Sequence, residues 1–251
     1  MKSHLFLLLI IIPLTILPGC QGKLLLPPLP SPRAIKVGIA GDTQAGITDL
    51  LQDCLYSSPD LSPQILLVVE PYPDPTEYDL LIWQGDPSLY PELQNHDIIS
   101  IGLAEYDLVL ILSSENQLIS LPLSTIRAIF SGKIQDWSSV PDSGLRGKIH
   151  FWVYYENHPL RLIFENSLLG SLPISSSAFI SPSQKEVIMA VKDSRTGIGF
   201  ISQSSGIQNL NVLPISGISS PPSVSILAVY QKDTAALASP LAECLLSTMP
   251  E

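Results

Sequence analysis

An α/β fold is what this sequence predicts, on three observations. Apolar runs of strand length recur at Gln64–Val69, Tyr78–Trp83, Asp107–Leu112 and Val224–Tyr230, and runs of this kind suit strands buried on both faces. Amphipathic segments lie between them, with apolar residues at i, i+3 and i+4, as at Ile126, Ile129 and Phe130. The 251 residues suffice for one large domain or two small lobes with a sizeable core.

Residues 1–19 read as a targeting signal. Lys2 precedes the apolar run Leu5–Ile12, and Pro13 interrupts it well short of a bilayer's thickness. Leu17-Pro18-Gly19-Cys20 resembles the bacterial lipobox, which implies that Cys20 becomes the lipidated first residue of the mature chain. Residues 20–34 hold four prolines and no acidic residue, a composition that favours extended, solvated chain and reads as a tether. All 23 acidic residues follow it, and losing Lys2 with the signal takes the net charge from −10 to −11. So acidic a body has no electrostatic reason to bind nucleic acid or anionic lipid, which leaves the lipid on Cys20 as its expected hold on the membrane. The expected location is extracytoplasmic.

Ile35–Ala40 alternates like a strand, and Gly41-Asp42-Thr43 turns into a helix with Ile47, Leu50, Leu51, Cys54 and Leu55 on one face. The free N–H groups at such a helix start can bind an anion, with Thr43 adding a hydroxyl. Equally, Asp42 can cap the helix itself and repel anions. Between Gln64–Val69 and Tyr78–Trp83, three prolines in Glu70–Glu77 exclude a regular helix. Cys54 and Cys244 are both expected on apolar helix faces, where they either pair or stay as buried thiols.

Further along, Ser124 is placed to cap the helix of Ile126, Ile129 and Phe130, and Gly132 to end it in left-handed geometry. Lys148–Tyr154 reads as a strand and Pro159–Leu169 as a helix, with Pro159 in its first turn. Ser183-x-x-Glu186 is a capping box ahead of Val187, Ala190 and Val191. Gly197 and Gly199 in Gly-Ile-Gly-Phe are backbone requirements. Ser202–Pro222 reads as surface loop, and Leu237–Leu246 as a closing helix with Pro240 in its first turn.

The stretch Ile129-Phe-Ser-Gly-Lys-Ile-Gln-Asp-Trp137 resembles the second-lobe signature of the phosphate-binding family of periplasmic solute-binding proteins. Gly197-Ile-Gly-Phe200 resembles that family's Gly-x-Ile-Gly-Tyr turn and strand. In the family the first motif is scaffold, so Lys133 and Trp137 are not expected to touch ligand. The resemblance spans about Ile35 to Leu246 and implies a two-lobed, periplasmic-binding-protein-like (type II) α/β fold. It places lobe I at 35–106, lobe II at 107–222 and a return strand and helix at 223–251, with crossing strands near Asp107–Leu112 and Val224–Tyr230.

What the resemblance implies for function is a lipoprotein receptor of an ABC-type uptake system, holding a small molecule or anion for a membrane permease, with no cofactor and no metal. The ligand-binding residues it points to are Asp42, Thr43, Glu105, Tyr106, Tyr154, Asn157, His158 and Arg161. Glu105 falls where the family keeps a cleft carboxylate, which accepts a hydrogen bond only from a protonated ligand; it is otherwise a solvated hinge residue. The oxyanion site departs from the family pattern. Tyr154 stands at the arginine position, His158-Pro159-Leu160 replaces Ser-Gly-Thr, and Glu70–Glu77 replaces a Gly/Ser-rich ligand loop. Inorganic phosphate is therefore expected to bind far more weakly than in the family. A ligand-free or sensory lipoprotein that keeps the fold for interaction is the alternative. An enzyme is not expected: Gly-x-Ser-x-Gly, Ser-x-x-Lys and His-Glu-x-x-His are all missing.

Overall fold

Strand β1 (Ile35–Ala40) lies between β2 (Ile65–Glu70) and β3 (Leu80–Gln84), parallel to both. In this computed structural model, residues 34–57, 65–70, 74–89, 97–203, 207 and 209–249 are described. The signal, Cys20 and the tether up to residue 33 lie outside them, as does the 71–73 part of the proline loop. A 3₁₀ turn, Gly41–Thr43, leads from β1 into α1 (Gln44–Ser57), which buries Ile47, Leu51 and Cys54. A second 3₁₀ turn, Pro75–Glu77, precedes β3, with Asp74 accepting from the Thr76 N–H.

Two expectations for this half are corrected. β2 is not buried on both faces: Leu66, Leu67 and Val69 are exposed because the strand ends the sheet, and apolar composition does not distinguish an edge from a centre. Helix α5 (Ala235–Thr248) starts two residues earlier than its apolar pattern indicates, so Pro240 falls inside it. The open question of the cysteines is answered by a disulfide between Cys54 and Cys244, Cα atoms 5.8 Å apart, which ties α1 to α5.

The 16-residue strand β4 (Ile98–Ser113) runs through both halves of the molecule. Its first part, Ile98–Asp107, pairs antiparallel with β11 (Ser223–Gln231), which lies between β3 and β4. Its second part pairs with β8 (Gly197–Ser202) on one side and β9 (Leu210–Leu213) on the other. β6 (His150–Tyr154) and β7 (Phe179–Ser181) extend the sheet beyond β8. At the changeover, Leu108 N–H donates to Pro222 O and Gln203 N–H donates to Asp107 O, both at 2.8 Å. Ser202–Pro222 is more than loop. It contains β9 and the short β10 (Ile215–Ser216), which pairs with β5 (Leu121–Pro122); the Ser, Gly and Pro around these apolar residues obscured them.

Two large apolar cores follow. The first joins α1, α5, β1, β3 and β11; the second gathers around the far part of β4. In the second, α2 (Leu123–Phe130) buries Ile126, Ile129 and Phe130 as its spacing predicts. The helix begins one residue before Ser124, so Pro122 takes the N-cap position and no side chain caps it. Gly132 follows with φ +79°. Trp137 is fully buried and its indole N–H donates to Thr196 O at 2.9 Å, the scaffold role expected of it. Helix α3 (Pro159–Phe164) continues into a wide turn over Glu165–Leu169, and Phe164 stacks on Phe200 with centroids 4.0 Å apart. Helix α4 (Gln184–Lys192) starts at Ser183, whose hydroxyl accepts from the Glu186 N–H at 3.4 Å.

Candidate functional site

The segments that meet between the two cores are the turn after β1, the end of β3, and the starts of α3 and α4. Asp42 comes from the first of these. Its side chain is only 10% exposed, and its carboxylate accepts from His158 Nε2 at 2.8 Å and from the Gln184 N–H at 3.0 and 3.2 Å. Asp42 is thus bound to two groups distant in the chain. Its negative charge sits at the N-terminus of α4, where the unpaired N–H and the helix dipole favour an anion.

His158 is held from three sides. It is the N-cap of α3, and its Nδ1 accepts from the Leu160 N–H at 3.2 Å. With Nδ1 an acceptor, the ring proton sits on Nε2 and is donated to Asp42. Tyr154 lies flat against the imidazole, centroids 4.0 Å apart. The phenol itself is fully buried and donates to Phe200 O at 2.8 Å, so the residue at the family's arginine position supports the site from behind. Burial, and then the charge of Asp42, hold the Tyr154 phenol well above its ordinary range.

Arg161 faces away from this point: Nε donates to Glu165 at 2.9 Å and an NH1 proton goes to Tyr154 O at 3.0 Å. Thr43 is buried and its hydroxyl donates back to Ala40 O at 2.6 Å. Glu105 is exposed and accepts from the Ser223 hydroxyl. Asn157 is exposed in the turn before His158. Tyr106 is half-buried and, with Asp42, Thr43 and Gln84, lines a cavity of about 40 Å³. A single water needs roughly 10–15 Å³ of such space, so the cavity is of a size for a few waters. Of the eight candidate residues, the structure brings Asp42, Thr43, Tyr106, Tyr154 and His158 together and leaves Glu105, Asn157 and Arg161 outside that cluster.

Three residues of the same cluster escaped the sequence reading. Gln184 is buried, and its side-chain oxygen accepts from the Ser202 N–H at 2.7 Å, while Gln84 Nε2 donates to Ser202 Oγ at 3.4 Å. Gln84 carried a signal: it is the polar residue closing an otherwise apolar strand, and ligands of open α/β sheets bind beyond such carboxyl ends. Apolar packing closes the same face. A Cβ on Gly85 would lie 3.3 Å from Pro159 Cβ, and Leu162 of α3 packs on Leu81, Trp83 and Val229. Among the described residues, no group of three His, Cys, Asp or Glu could hold a metal ion, and no helix is long and apolar enough to cross a membrane.

The sequence profile of the PBP superfamily domain matches residues 32–243, and the chain belongs to that superfamily. No curated protein matches it. Solved structures share its fold. A phosphate-bound protein from Clostridium perfringens, assigned as a phosphate ABC transporter substrate-binding protein, superposes with TM-score 0.69 at 16% identity, covering 86% of this chain and 94% of that one. An ABC-type phosphate transport receptor from Vibrio cholerae gives 0.64 at 16% identity, covering 85% and 93%. The effector-binding domain of QuiR in complex with shikimate gives 0.62 at 14% identity, covering 87% and 98%. The architecture is thus the two-lobed, type II binding-protein fold.

Proposed function

We propose that this protein is an extracytoplasmic solute-binding lipoprotein of an ABC-type uptake system, with a cleft not built for inorganic phosphate. Lobe I comprises 35–106, lobe II 107–222, and the chain returns to lobe I at 223–251. Lipid on Cys20 anchors it to the membrane. The cleft runs between Asp42–Thr43, Tyr106 and the His158–Pro159 helix start, and the protein binds rather than catalyses. One observation carries the ligand class. The donors converging on the cleft, an imidazole Nε2–H and one helix N-terminal N–H, already serve one carboxylate, and among the described residues the candidate arginine, Arg161, is engaged by Glu165 and Tyr154 O instead. Charge-assisted bonds are worth about 1.5–3 kcal/mol each, so the absence of an arginine weakens phosphate by on the order of one to two decades. A small, weakly charged organic acid suits a cleft walled by Tyr106, His158 and the already paired Asp42 better.

The small cavity beside Asp42 favours a second reading, a ligand-free lipoprotein that keeps the fold for interaction or sensing. A thermal-shift screen of residues 21–251 against oxyanions and small organic acids separates the two, because a ligand that binds only the folded state raises the midpoint by mass action. The receptor reading expects a saturable shift with an organic acid. A flat response across the panel leaves the ligand-free reading, and a submicromolar phosphate constant by calorimetry overturns the site assignment.

A further inference from the structure

Asp42 and the groups it binds lie far apart in the chain, separated by 116 residues from His158 and 142 from Gln184. Among the described residues of the cluster, its carboxylate is the group that offers an anion to His158 and Gln184. Those donors are themselves fixed. His158 is 3% exposed, and its ring is locked by the Leu160 N–H and by the Tyr154 stack. Gln184 is held by Ser202, which Gln84 in turn approaches. Donors with this degree of support are preorganised, and the oxygens they hold are those of a planar, monoanionic, two-oxygen group.

We infer that Asp42 is a tethered occupant of an anion site formed by His158 Nε2–H and the Gln184 N–H, and that it closes the cleft in the absence of an external ligand. The ligand class this site takes is a small monocarboxylate, which must displace Asp42 to enter. This rests on the receptor reading only in its choice of cleft; the internal contact stands whether or not a physiological ligand exists. Tethering sets the competition. A group on the same chain acts at an effective concentration of about millimolar or above, so an external carboxylate must compete with it and binds the wild-type chain more weakly than a chain lacking the side chain. Removing the side chain leaves the donors in place beside the existing cavity and makes room for a substitute.

The test is chemical rescue of the full-length protein in detergent, with formate as probe and chloride at equal ionic strength as control. Asp42→Gly is expected to melt lower than wild type and to recover saturably with formate, with an apparent affinity at least about tenfold tighter than any formate response of the wild type. Asp42→Asn, which fills the space without the charge, is expected not to respond. Adding His158→Phe to Asp42→Gly keeps an aromatic ring against Tyr154, removes the donor, and should abolish the rescue. If Asp42→Gly is unfolded in buffer, return of its far-UV circular dichroism in formate but not chloride is the same positive result. Formate acting no better than chloride on Asp42→Gly, or stabilising wild type and variant equally, overturns the inference. A wild type unresponsive to every organic acid removes the receptor reading, while the rescue result decides the tethered-anion inference independently.

Discussion

The rings of Tyr154 and His158 are stacked, centroids 4.0 Å apart and 17° from parallel. The tyrosine hydroxyl meanwhile reaches the Phe200 carbonyl on the neighbouring strand at 2.8 Å. One residue thus couples the second core to the histidine that faces the cleft. Tyr154→Phe keeps the stack and loses the hydrogen bond, and should lower stability by about 0.5–1.5 kcal/mol. Urea denaturation measures this. A loss of several kcal/mol would mean that the hydroxyl has a structural part beyond that bond.

Alkaline pH should destabilise the protein. Burial, followed by the Asp42 charge, raises the phenols of Tyr154 and Tyr155, and burial together with Glu70 pushes Tyr78 up to about 12. An unfolded tyrosine titrates near 10. Because the folded values lie higher, the stabilisation is fully present below about pH 10 and is lost as pH rises through the folded values. Phenolate absorbance and urea midpoints between pH 8 and 12 test the sign. Phenols that all titrate near 10 without loss of stability contradict it.

Reduction of Cys54–Cys244 should cost about 2–4 kcal/mol, since the bridge closes a loop between residues 190 apart in sequence. Residues 21–251, denatured without reductant, should present no free thiol. Two thiols in that assay would remove the bridge.

If Cys20 carries the lipid proposed above, its loss should release the protein. Cys20→Ala is then expected in the soluble extracytoplasmic fraction, because so acidic a body has no electrostatic attraction to anionic lipid. Membrane retention of a variant whose signal has been cleaved would show another anchor.

Elements with local causes were legible in the sequence. Ile126, Ile129 and Phe130 mark one helical face, Ser183 caps its helix, and Trp137 closes the scaffold unit, all through spacings of a few residues. Gly199 was read as a backbone requirement, and its cause is a packing contact: an added Cβ would sit 2.5 Å from Val187 Cγ1. The candidate site was legible as a list and not as a geometry. Nothing in the spacing of Asp42 says that its carboxylate meets Gln184, since that contact depends on how the two cores dock. Arg161 had the spacing of a cleft residue, yet Glu165 lies one turn further along and the Tyr154 carbonyl within reach, and these take its guanidinium. Likewise, β2 had the composition of a central strand, and its edge position came only from the order of pairing.

Strand β4 gives both lobes a common spine. Because Ile98–Asp107 and Leu108–Ser113 are one uninterrupted run of backbone, neither lobe can slide along the other without shearing ladder hydrogen bonds. With the lobe boundary proposed above, any relative rotation of the lobes would act as torsion near Asp107–Leu108, where Gln203 and Pro222 pass alongside. A small twist there would be amplified by the lever arm of each lobe, so the rim of the cleft would travel furthest while the chain at the axis scarcely moved.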